Sequence, residues 1–156
     1  MNTTKTEIDP GWQWEKSVFG IHSNGHRSMA RLNEQAAYQN AKSLQSRLKW
    51  LPSCPTTTTG LELYACVQSY LAPELAPRLL FYCAIGTALD YWYNIDGWFE
   101  LNNVVVPIDL KVSPNDDRQR RIDVILVTMR ECNGLRLWRT GKLIANVLTN
   151  HLRALQ

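Results

Sequence analysis

Residues 93–113 read YNIDGWFELNNVVVPIDLKVS, and the fold turns on this stretch. Two apolar segments flank Asn102-Asn103. Asn tolerates the left-handed backbone that two-residue hairpin loops demand, so the pattern predicts a β-hairpin turning at the two asparagines. Counting outwards from that turn, Leu101 faces Val104, Phe99 faces Val106 and Asp96 faces Asp109. Side chains alternate faces along a strand, and directly opposed residues share a face. Val104, Val106, Ile108 and Leu110 therefore point one way with Ile95, Phe99 and Leu101, while Asp96, Asp109 and Lys111 point the other way. The same count makes Asp96–Asp109 a non-hydrogen-bonded pair, the kind in which side chains approach most closely. Two carboxylates about 4.5–5.5 Å apart at Cβ repel each other and destabilise a plain sheet. A divalent cation between them removes that penalty, and Lys111 is placed to hold a reacting anion. An Asp-x-Lys on a strand is more often solvated surface. What separates this one is that a second Asp lands opposite the first while the other face is uniformly apolar.

Working outwards, residues 79–85 (LLFYCAI) form a continuous apolar run of strand length, which suits a strand buried on both faces or a buried helix segment, since periodicity alone does not separate them, and GTALDYW connects it to the hairpin and carries Asp90. After Lys111, SPNDDRQRR is a polar loop or short helix, and IDVILV from Ile122 is another buried strand. The nine polar residues are too few for a standard parallel crossover. Asn133-Gly134 is a hairpin turn signal. It predicts a further strand from Leu135 to Arg139, with Leu135 facing Cys132 and Glu131 facing Arg136. Thr140 then caps a last helix over 141–155, whose apolar stripe is Ile144, Val147, Leu148, Leu152 and Leu155.

Upstream, Ser28 caps a helix over 28–50, with Leu32, Ala36, Ala37, Ala41, Leu44 and Leu48 at three- and four-residue spacing. Arg27, Arg31, Lys42, Arg47 and Lys49 make it basic, which suits a solvated face or a phosphate-contacting one. LPSCPTTTTG is a loop. Thr59 caps a second helix over about 60–71, carrying Glu62 and Gln68, which Pro73 and Pro77 end. Residues 1–27 read as an irregular arm whose aromatics, Trp12, Trp14 and Phe19, pack on the domain. His22 and His26 have the spacing of zinc ligands, but no further ligand stands near them, so they read as exposed polar residues.

The chain thus reads as a single α/β domain over 28–156, a mixed central sheet flanked by helices. Its 156 residues are enough for one real core, and 45% apolar with 20% charged residues is a globular composition. No apolar run reaches the ~18 residues that span a membrane, and the N-terminus lacks the apolar segment of a signal peptide. Cys54, Cys66, Cys83 and Cys132 are widely spaced with no CxxC, as in reduced thiols of a cytoplasmic protein. The net charge of +3 is compatible with a nucleic-acid partner. Neither GxGxxG nor GxxxxGK[ST] occurs, which argues against the commonest nucleotide-binding domains.

Asp96 followed on the next strand by Asp109-Leu110-Lys111 resembles the PD-(D/E)xK nuclease superfamily, over roughly residues 62–127. Ile95 stands where that pattern has Pro. The resemblance implies a restriction-endonuclease-like core of helix, three strands, helix and strand. It implies a Mg²⁺- or Mn²⁺-dependent endonuclease or exonuclease cleaving phosphodiester bonds, in DNA or alternatively RNA. In that picture Asp96, Asp109 and the backbone carbonyl of Leu110 ligate the metal. Lys111 orients or deprotonates the attacking water, or neutralises the phosphate. The remaining carboxylate, supplied in the family by the preceding helix, is Glu62, with Gln68, Glu74 and Asp90 as the other candidates. Arg118, Arg120 and Arg121 would guide the nucleic-acid backbone, and Trp92, Tyr93 and Trp98 are candidates for stacking on bases. The rival reading is a catalytically degenerate subunit that keeps the fold and binds nucleic acid, as a homodimer or in a larger complex.

Overall fold

The computed structural model describes residues 9–23, 29–112, 123–129 and 135–156. The hairpin forms as its turn dictates. Asn102 and Asn103 both take positive φ, 48° and 67°, the signature of a type I′ turn. Strand β2 (Gly97–Leu101) pairs antiparallel with β3 (Val104–Lys111) in the register Leu101↔Val104, Phe99↔Val106, Gly97↔Ile108. Pro107 sits opposite Trp98. This is a non-hydrogen-bonded pair, so β2 needs no N–H from it. Strand β1 (Leu80–Cys83) lies antiparallel on the other side of β2, and β4 (Ile125–Thr128) completes a sheet of order β1-β2-β3-β4.

Strand β4 runs parallel to β3, with Ile108↔Ile125 through Lys111↔Thr128. The expectation that the connection is too short for a parallel crossover is therefore overturned. The strand starts at Ile125 rather than Ile122, and the connection spans 112–124, which meets the dozen residues a crossover requires.

Helices cover both faces. Helix α1 (Pro10–Phe19), α3 (Thr58–Ser69) and α5 (Leu135–Ala154) cover the face built by Phe81, Phe99, Leu101, Val104, Val106, Ile108 and Leu110. On that face Phe81 stacks on Phe99, with centroids 4.2 Å apart. Helix α2 (Glu34–Ser43) and the short α4 (Ala88–Tyr93) bury Ala37, Ala41 and Leu89 against Trp98 on the other face. Ile95 belongs to this second cluster rather than to the Phe99 face. Asn94 ends α4 in a left-handed conformation and β2 begins only at Gly97, so strand alternation does not yet govern Ile95.

Two further expectations are corrected. The arm over 1–27 is not irregular throughout, because Asp9 caps α1 through Gly11 N and Pro10 occupies its first turn. The segment from Leu135 to Arg139 is the start of α5, not a strand. Leu137, Thr140, Gly141, Ile144, Ala145 and Leu148 are buried at helical spacing, so one stripe runs through the supposed strand and past Thr140, which lies inside the helix. Asn133-Gly134, Glu131 and Cys132 lie outside the described residues. The helix caps also move. Asn33 caps α2 through Ala36 N, and Thr57 rather than Thr59 caps α3 through Gly60 N. Ser28 lies outside the described residues.

Gly141 is where α5 meets α3. A Cβ there would stand 2.7 Å from Cys66 Cβ and 3.1 Å from the backbone of Cys66 and Val67. Backbone cannot swing aside, so Gly141→Ala should destabilise by about 1–3 kcal/mol, despite a helix-propensity gain of up to ~1 kcal/mol. A denaturant-unfolding midpoint no lower than wild type would contradict this packing.

Candidate functional site: an acidic cluster at the end of the hairpin

The hairpin register carries Asp96 and Asp109 to the end of the β2–β3 ladder, and α4 brings a third carboxylate to the same place. Asp96 follows the left-handed Asn94 and precedes β2. Its N–H donates to Ile108 O at 3.0 Å, and its carbonyl accepts from Ala84 N at 2.8 Å. Its Oδ2 accepts from Leu110 N at 2.7 Å. The side chain is thus pinned across the hairpin, 5% exposed. Asp90 on α4 accepts from Gly86 N through Oδ2 at 2.9 Å and is hydrogen-bonded to Asp96. Lys111 Nζ lies 3.3 Å from Asp109 Oδ2, and both side chains are largely covered.

Two hydrogen-bonded carboxyl groups must share a proton. Burial, above all, pushes the Asp96 pKa well above the usual carboxylate range. The charges of Asp90 and Asp109 add to this, against the opposing Leu110 N–H. Asp90 is raised as well, by burial first; the hydrogen bonds it accepts from Gly86 and Asp96 and the charge of Lys111 work against it, and the charge of Asp109 with it. We take Asp96 as the proton carrier, because it is the more deeply buried of the two.

A fourth acid, Glu15 on α1, interacts electrostatically with Asp90. Its Oε2 accepts from Ser23 N at 2.9 Å, and burial raises its pKa in spite of that bond. Cys83, fully buried beneath these acids, has its thiol pushed far up by burial, so it is an inert core group. Cys54, Cys66 and Cys83 are free thiols.

The sequence-predicted residues divide. Asp96, Asp109 and Lys111 come together, and Leu110 contributes its N–H while its side chain lies in the core on the opposite face. Glu62 does not join them. It is exposed on α3, a helix packed mainly on α5 and α1. Glu74 is exposed, and Gln68 donates to Ala76 O at 2.9 Å. Of the four helix candidates only Asp90 reaches the cluster. Arg118, Arg120, Arg121 and His26 lie outside the described residues. His22 stacks on Trp12, ring centroids 4.9 Å apart.

The stacking candidates also divide. Trp98 is fully buried, and its indole N–H donates to Glu100 Oε2 at 3.2 Å, so it is core. Tyr93 donates its hydroxyl to Leu32 O at 2.7 Å. Trp92 is 37% exposed beside Tyr91, with the Arg31 guanidinium over its ring. Of the basic helix residues, Lys42 is committed to Glu100 at 2.9 Å. Burial works against its ammonium, but the hydrogen bond and charge of Glu100 outweigh that and raise its pKa.

Carboxylate oxygens are the hard donors that Mg²⁺ and Mn²⁺ prefer. Among the described residues no group of three or more His, Cys, Asp or Glu is disposed as a finished metal site. Mg²⁺ commonly binds through one or two carboxylates plus water and substrate phosphate, so the donor set suits it without a complete protein cage. No helix among the described residues is long and apolar enough to cross a membrane.

Fold and cluster together define an α/β protein whose described residues form one mixed four-stranded sheet, with an acid–lysine cluster at the open end of its central hairpin. Comparison with protein-family models, curated proteins and solved structures finds no match.

Proposed function

We propose that this protein is a metal-dependent nuclease of the PD-(D/E)xK kind, acting on DNA. The observation that carries the reading is the convergence of Asp90, Asp109 and Lys111, all partly covered, on the buried Asp96. Like charges are gathered there at a cost to the fold, and stability alone gives no reason to gather them. The succession of α3, three antiparallel strands and a later fourth strand also suits the helix, three strands and later strand of that superfamily's core.

In this reading Asp109 and Asp96 hold Mg²⁺ or Mn²⁺, with Asp90 as the helix carboxylate and the Leu110 carbonyl as a further oxygen. The metal supplies charge to the phosphate and acidifies bound water. The chain's own residues do the rest. Leu110 N–H fixes Asp96. Asp109 holds the Lys111 ammonium at the cluster, where it can meet a scissile phosphate. As ligands Asp90 and Asp96 would both be ionised, so the proton they share would be given up on metal binding.

A catalytically degenerate subunit remains the second reading. Its support is the depth of Asp96 and the lack of a finished metal group among the described residues. The deciding experiment is a cleavage time course on single-stranded, duplex and branched DNA, and on RNA, with Mg²⁺, Mn²⁺ or chelator. Metal-dependent cleavage lost in Asp109→Asn supports the nuclease. Binding without cleavage under every condition supports the subunit.

A further inference from the structure

Thr128 is the last residue of β4, and it is 2% exposed. Its Oγ1 is buried and has no hydrogen-bond partner among the described residues. Buried polar atoms are nearly always satisfied, and an unmet one is costly. The hydroxyl cannot readily turn away, since a β-branched side chain has restricted χ1.

Its position shows where a partner would come from. Leu110↔Val127 and Lys111↔Thr128 are aligned across the parallel ladder. Leu110 and Val127 both enter the core under α1, α3 and α5. Thr128, one residue on, therefore faces the other way, on the face that carries Lys111 and Asp109, about 4.8 Å from Lys111 along the ladder. This hydroxyl borders the acid–lysine cluster and can both donate and accept. Among the described residues its ladder neighbour is Lys111, whose ammonium is a donor, and the Asp109 carboxylate 3.3 Å from that ammonium is an acceptor. A water molecule bridges such a set.

We propose that Thr128 Oγ1 holds a water at the Lys111 end of the cluster and positions it for attack on the phosphodiester. The second half of this statement rests on the nuclease reading, and the water site itself does not. In the reaction, the water oxygen forms a bond to phosphorus and the P–O bond to the leaving sugar oxygen breaks with its electron pair. One water proton passes to solvent, and a proton from solvent neutralises the leaving alkoxide. Thr128 keeps its own proton and acts only as a positioning residue.

The test has two arms. A crystal structure of the metal-free protein, at a resolution that shows ordered water, should place a water within hydrogen-bond distance of Thr128 Oγ1 and of Lys111 or Asp109. That water should persist in Thr128→Ser and vanish in Thr128→Val. In the kinetic arm, Thr128→Val should lower kcat by on the order of 100-fold with KM for DNA little changed, and Thr128→Ser should restore most of the loss. A dry Oγ1, or the same water in Thr128→Val, overturns the water site. Undiminished kcat in Thr128→Val overturns the positioning role. A wild type that cleaves nothing sinks the nuclease reading, and with it the attack, while the crystallographic arm still decides the water.

Discussion

Lys111→Ala is expected to cut turnover by about two to four orders of magnitude, the range of a positioned catalytic group, while DNA binding weakens only modestly. The ammonium sits at the hairpin end beside Asp109, 3.3 Å away, where it would meet developing charge on a phosphate. Its interaction is then stronger in the transition state than in the ground state, so kcat falls and binding hardly moves. One phosphate contact is a small share of a salt-dependent total. Lys111→Met keeps most of the stem and loses the charge, and should behave like the alanine variant, which excludes packing as the cause. Removing the cation also leaves the acids to repel one another. Lys111 lowers the Asp90 pKa, so the variants should bind protons at the cluster more readily. The measurement pairs a cleavage time course with a binding titration at fixed salt. An active wild type whose Lys111→Ala variant cleaves at full rate would remove Asp109-Leu110-Lys111 from the chemistry. In the degenerate-subunit reading both variants bind almost as wild type does.

Much of this site was legible because a two-residue turn fixes register over the whole hairpin. Once Asn102-Asn103 is placed, Leu101↔Val104 through Gly97↔Ile108 follow; beyond Gly97 the regular ladder stops, and Asp96 donates its N–H to Ile108 O rather than pairing with Asp109, although the charge of Asp109 still acts on it. Register propagates well along a strand and fails where the strand stops, which is why Ile95 went to the wrong face. Asp90 was one of four candidates because nothing local ranks them. Its selection depends on how α4 folds back over the hairpin end, a tertiary fact. Glu15 was missed together with its helix, although Asp9-Pro10 is a start signal. The aromatic-rich arm drew attention to Trp12 and Trp14 instead. At α5 two local signals competed. Asn133-Gly134 suggested a turn, and the spacing Leu137, Gly141, Ile144, Ala145, Leu148 suggested a helix. Burial of that whole stripe against α3 is what decides for the helix. Thr128 gave no signal, since a lone Thr in an apolar strand is ordinary and only the fold reveals its unmet hydroxyl.

Asp96→Asn should stabilise the metal-free protein at neutral pH and abolish its stabilisation by Mg²⁺ or Mn²⁺. An Asn oxygen can still accept from Leu110 N, and its amide N–H₂ can donate to Asp90 in place of the shared proton. What is lost is a carboxyl whose ionised form is opposed by burial and by Asp90 and Asp109. The gain at neutral pH is expected to be about 1–3 kcal/mol, the size of one unmet buried polar group. The pH dependence follows from the same shifts. Asp96 and Asp90 have raised pKa values in the fold, against about 3.9 in the unfolded chain. Between the two values folding takes up protons, so stability falls as pH rises. Their contribution is complete below the unfolded pKa and is lost as pH rises through the folded values. Unfolding followed from about pH 5 to pH 8 in chelator should therefore show wild type weakening. Asp96→Asn should show a shallower slope, because Asp90 and Glu15 still titrate in the same sense. Millimolar Mg²⁺ or Mn²⁺ should then raise the wild-type melting temperature, more at pH 8 than at pH 5, because the cation competes with the shared proton. A metal-free wild type that grows more stable over this range, with no metal response at either end, would mean that Asp96 and Asp90 ionise comfortably where they lie. The buried cluster would then be a structural ion network with no need of a cation, and the degenerate-subunit reading would prevail.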